Sequence, residues 1–150
     1  MAKPDLRELI EHVRKATGPD RQLGRNIYLA LGWQRARYEI DDSMAFWVSP
    51  DGRTSFQDGD FHLRDPTGSL DVITSWIERE LPELCWSASK GPAEARVYSF
   101  RLFRPETGRV VAEFTHEDEC LGRVGAYLIA VLEMRQEEEG NEVLPTRARH

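Results

Sequence analysis

Asp58, Asp60, His62 and Asp65 form the one close grouping of metal-ligand residue types in this 150-residue chain. On an extended strand alternate positions share a face, so Asp58, Asp60 and His62 would point the same way. A hard cation wants several oxygens from a defined loop, and this spacing misses the calcium-loop pattern. The grouping reads as a solvated acidic loop and Asp41-Asp42 as an acidic turn; the sequence implies no metal and no cofactor. Such carboxylates could instead occupy a groove built for nucleic acid by mimicking phosphate spacing. On that reading Asp41, Asp42, Asp58, Asp60 and Asp65 are the partner-binding set.

The opposite charge sits nearer the start. Residues 1–38 carry a formal charge of +4 and the remainder −10, within a net charge of −6. Arg21, Arg25, Arg35 and Arg37, with Gln22 and Asn26, are the residue types that contact phosphates and base edges from a second helix. Against this alternative, Gly24 weakens that helix, and an acidic majority lacks the basic face that phosphate neutralisation needs. Direct nucleic-acid binding is therefore the lesser reading.

Catalytic patterns are missing from the string. His12, His62, His116 and His150 are scattered, and no GxSxG, P-loop, HExxH or GxGxxG sequence occurs. The chain is not expected to be an enzyme. Cys85 and Cys120 read as small buried hydrophobes rather than a disulfide. The four tryptophans are expected in the core or at its edge, with Trp33 and Trp47 as alternative anchors for a partner. The opening MAKPDLREL is charged and carries no apolar signal stretch, and the longest apolar run, Ala126 to Leu132, is too short to span a bilayer. The expected location is the cytoplasm of a bacterial host cell.

The elements that would position these residues follow from periodicity. Leu6, Leu9, Ile10, Val13 and Ala16 predict an amphipathic helix over 4–16. Thr17-Gly18-Pro19-Asp20 predicts a tight corner, with Gly18 suited to close one helix and Asp20 to cap the next. Leu23, Ile27, Ala30 and Leu31 mark that second helix, which Gly32 ends. Short strands are predicted at Tyr38-Glu39-Ile40 and Ala45-Phe46-Trp47-Val48, followed by a turn at Pro50-Asp51-Gly52 and a loop over 56–65. Ser69 caps a third helix reaching Leu81. Three strands follow, at Leu84–Ser89, Arg96–Phe103 and Val110–Phe114, separated by Gly91-Pro92 and Pro105-Glu106-Thr107-Gly108. Thr115 and Asp118 have capping-box spacing before a last helix running to about Gln136. Its broad apolar surface should lie across the sheet, and Gly122 and Gly125 permit close approach to that sheet or to a second copy. The order α-α-β-β-α-β-β-β-α implies an α+β layered sandwich with a mostly antiparallel sheet. Residues 1–136 form one domain, and 137–150 an acidic-then-basic flexible tail.

Leu9-Ile10, Ala16-Thr17-Gly18-Pro19-Asp20-Arg21 and Ala30-Leu31-Gly32-Trp33 resemble the opening of the phage ABA-sandwich domain family. Ser49-Pro50-Asp51-Gly52 and the helix start at Ser69-Leu70-Asp71 extend the likeness. The resemblance implies an α/β/α layered fold encoded by phages, prophages or related elements, and it brings no catalytic residues. The expectation that follows is a small accessory protein acting by binding a protein partner. A sharper form is inhibition of a host nucleoprotein complex, such as a CRISPR-type defence system, through the acidic surface. A DNA-binding regulator using the basic helix pair, and a phage structural or assembly protein that self-associates as a homodimer, are the alternatives.

Overall fold

The computed structural model describes residues 3–37, 44–92 and 94–148, with side chains described as far as residue 140. Two helices open the chain, α1 (Leu6–Lys15) and α2 (Arg21–Ala30). Each begins on an aspartate: Asp5 accepts from the Arg7 N–H and Asp20 from the Leu23 N–H, satisfying amide groups that a first turn leaves bare. Helix α1 closes at Ala16 without a left-handed glycine, so Gly18 is not the cap the sequence suggests. Gly32 does end the second helix with φ +97°, a conformation only glycine adopts cheaply.

Three short antiparallel strands follow, β1 (Gln34–Arg37), β2 (Ala45–Val48) and β3 (Ser55–Gln57), in the order β1-β2-β3. Their register sets Arg35, Trp47 and Phe56 side by side. A 3₁₀ turn (Asp58–Leu63) leads to α3 (Leu70–Glu80), whose first turn Ser69 caps. The predicted strand at Tyr38-Glu39-Ile40 lies outside the described residues. β3 and the 3₁₀ turn stand where the sequence reading has a loop.

The second sheet is a meander of β4 (Cys85–Lys90), β5 (Tyr98–Phe103) and β6 (Val110–His116), again antiparallel throughout. Phe100, Leu102, Ala112 and Phe114 form its buried face. Helix α4 (Glu119–Ala148) lies across β5 and β6, with α1 and α3 packed against it. Asp118, not Thr115, caps this helix, its carboxylate accepting the Leu121 N–H at 2.9 Å; Thr115 is part of β6. The Gly122 and Gly125 pair serves the sheet: a Cβ on Gly125 would lie 2.4 Å from the Phe114 ring. The helix continues past Gln136, where the sequence reading ends it, to Ala148. The α+β class and the order of elements are those expected, with the additional short β3. Among the described residues no helix is long and apolar enough to cross a membrane.

Candidate functional site

Among the described residues the acidic set does not gather into one exposed face. A 3₁₀ turn has about three residues per turn, so Asp58, Asp60 and His62 diverge where a strand would have aligned them. Asp58 turns inward. Its carboxylate meets the Arg35 guanidinium as a fork (3.3 Å to Nε and 3.0 Å to Nη2), accepts the Trp47 indole N–H at 2.9 Å, and lies 3.7 Å from Arg25. These donors hold its carboxyl below the usual range, the Arg35 hydrogen bond contributing most.

Asp65 is 5% exposed and accepts from both the N–H and the hydroxyl of Thr67, at 3.0 and 2.7 Å. Burial pushes its carboxyl up, against the two hydrogen bonds. It fits only because residue 24 is glycine: a Cβ there would lie 2.3 Å from the carboxylate oxygen. Asp60 is exposed, and Asp41 and Asp42 lie outside the described residues. Asp58 and Asp65 are thus internal fastenings, which corrects their place in an exposed phosphate-mimicking set.

The basic set divides in the same way. Arg25 and Arg35 converge on Asp58, while Arg21 and Arg37 are exposed. One carboxylate therefore offsets one of the four proposed DNA-contacting charges, with both Arg25 and Arg35 held against it.

Nor do the nucleophiles and bases assemble. The Cys120 thiol donates to the Pro66 carbonyl, and burial raises its pKa to about 12, far from thiolate chemistry. His116 accepts the Asp118 N–H on Nδ1, so Nε2 carries the proton donated to the Val13 carbonyl. Both are structural roles. Among the described residues no three His, Cys, Asp or Glu side chains are grouped to hold a metal.

What stands out is β4. It pairs with β5 on one side only, and all six of its residues are exposed. Natural edges are usually guarded by proline, inward charge, bulges or a covering helix. The run Cys85-Trp86-Ser87-Ala88-Ser89-Lys90 has none of these until its terminal lysine. Register places Trp86 and Ala88 opposite Leu102 and Phe100, on the face that α4 covers elsewhere. There Trp86 stays 40% exposed, stacked on Phe100 at 5.5 Å and capped by the Arg123 guanidinium at 5.0 Å. Beside it a cavity of about 390 Å³ opens between β4, β5 and the first turns of α4, lined by Lys90, Tyr98, Phe100, Gly122 and Arg123. On the face where β5 carries Tyr98, Phe100 and Leu102, the only large apolar side chain of β4 is Trp86.

Comparison with protein-family models, with curated proteins and with solved structures returned no match to this chain. The geometry of β4 and its cavity therefore carries the functional reading.

Proposed function

We propose that this chain is a non-catalytic binding protein that captures a protein partner by adding one of the partner's strands to β4. The single observation behind this reading is an edge strand exposed at all six positions and unguarded up to its terminal lysine. Added main-chain hydrogen bonds would supply affinity, and a side chain entering the cavity beside Trp86 would supply selectivity. Two copies, each of charge −6, repel, so a basic partner gains where a second copy loses. The protein component of a nucleoprotein complex has that character, in keeping with an accessory protein that occludes such an assembly.

Alternate residues of an edge strand turn their N–H groups outward. One of Ser87→Pro and Ala88→Pro therefore spares the β5 ladder and blocks only an incoming strand. The test is capture from a bacterial lysate at moderate salt, followed by amide exchange on the purified complex. The expected result is slowed exchange in β4 and loss of capture by the tolerated proline variant. Unchanged capture by both folded proline variants, or no slowing in β4, would overturn the reading.

A further inference from the structure

The residues of an edge strand fix what an incoming side chain meets, because positions directly opposite each other in an antiparallel pair share a face. The register of β4 on β5 sets Trp86, Ala88 and Lys90 opposite Leu102, Phe100 and Tyr98. These three β4 residues therefore stand on the face that carries α4, and Ser87 and Ser89 stand on the other. Ala88 is much the smallest of the three. The cavity between β4, β5 and α4 is lined by Ala88 from the strand and by Gly122 from the helix, two residues with little or no side chain.

The larger groups around that space differ in how far they are already engaged. Arg123 donates to the Thr74 hydroxyl at 2.9 Å and to the Glu119 carboxylate at 3.3 Å. Its guanidinium also lies 5.0 Å from the centroids of both the Trp86 and Phe100 rings. Arg123 and Glu119 thus offset each other and form a fixed wall. Phe100, 2% exposed, is stacked against Trp86 and is out of reach. Trp86 and Lys90 remain exposed, and Tyr98 is half-buried. Lys90 forms no ion pair among the described residues, and its ammonium lies 6.0 Å from the Tyr98 ring centroid.

We propose, resting on the strand-addition reading, that the strand added to β4 carries an aromatic side chain opposite Ala88, seated over the cavity between the Trp86 ring and the Lys90 ammonium. In an antiparallel pair the position opposite Ala88 has Trp86 and Lys90 as its two diagonal neighbours. Such diagonals are about 7–8 Å apart, within reach of long and aromatic side chains. An aromatic ring gains a ring pair on one diagonal and a cation–π contact on the other. An aliphatic side chain of equal size gains the buried area alone.

The test uses blocked peptides Lys-Thr-Val-Thr-X-Thr-Val-Thr-Lys in which X is phenylalanine, cyclohexylalanine or alanine. Each is titrated into the full chain and followed by backbone amide shifts in β4 and the first turns of α4. The phenylalanine peptide should bind at least about threefold tighter than its cyclohexyl counterpart and at least about tenfold tighter than the alanine one. Lys90→Gln breaks no ion pair and should shrink the first ratio. Ala88→Leu, at an exposed position, should fill the cavity and bring phenylalanine down to about the affinity of alanine. Equal affinity for the phenylalanine and cyclohexylalanine peptides would overturn the aromatic assignment, as would undiminished phenylalanine binding by Ala88→Leu or no saturation by any peptide at millimolar concentration. If the tolerated β4 proline variant loses every peptide while the parent chain binds all three equally, strand addition stands and the aromatic assignment alone falls. If that variant binds the peptides as the parent does, strand addition falls and the assignment with it.

Discussion

The two sheets have three antiparallel strands each, but they dispose of their large side chains in opposite ways. In the first sheet Trp47 is 1% exposed and belongs to a ring cluster with Tyr28, Phe56 and Phe61, at centroid distances of 5.2 to 6.5 Å. Asp58 then fastens the polar rim of that cluster by joining β1, β2 and α2 through one carboxylate. In the second sheet α4 covers β5 and β6, and β4 extends past it. Strand number and pairing are equal, so neither decides which sheet is closed. Closure follows from where a helix or an aromatic cluster stops.

Three measurements would break or sharpen that contrast. The largest effect is expected from Trp47→Ala, which empties the centre of the ring cluster and removes an N–H from Asp58. It should cost about 3–5 kcal/mol in urea unfolding, in line with other buried aromatic truncations. A loss below about 1 kcal/mol would show that the first sheet is not sealed by these rings.

Smaller, and opposite in sign, are the effects of two aspartates seven positions apart. Asp58 has a lowered folded pKa, so its contribution is present above its unfolded value near 3.9 and is lost as pH falls through the folded value. Asp58→Asn should cost about 1–2 kcal/mol at neutral pH, and its deficit should close on acidification. Asp65 has a raised folded pKa, so its contribution is present below the unfolded value and is lost as pH rises through the folded value. Asp65→Asn keeps an oxygen for Thr67 and should gain relative to the parent as pH rises. Parallel pH curves for the two variants would refute the opposed environments described for them.

The smallest effect needs no mutation. Cys85, at the start of β4, is exposed, whereas Cys120 is partly buried and hydrogen-bonded to Pro66. One thiol per folded chain should be alkylated at neutral pH, rising to two in denaturant, and partner binding to β4 should slow that first thiol. Equal reactivity of both thiols would indicate that α4 does not hold Cys120 as described.

Much of the fold was legible because helices announce themselves by period and punctuation. Leu6, Leu9, Ile10 and Val13 are buried as their spacing predicts, and Asp20 and Ser69 cap as their positions predict. The alternation Phe100, Leu102 against Ser99, Arg101 gave the correct buried face of β5. β1 was not legible, since Gln34-Arg35-Ala36-Arg37 has no apolar rhythm and is held by pairing to β2. The site was harder still. Asp58 and Arg35 are twenty-three positions apart, and no local pattern says that two opposite charges proposed for two different partners will cancel one another. The isolation of β4 was equally hidden, because a strand's neighbours, not its own residues, determine whether it is an edge.

Time adds a consequence to the packing of α1 on α4. The His116 side chain that bonds the Val13 carbonyl is made 103 residues later, and α4 later still. At the usual pace of about 5–20 residues per second, α1 waits on the order of ten seconds for the surface that covers Leu9 and Val13. During synthesis α1 therefore has only α2 to pack on until the last helix is made.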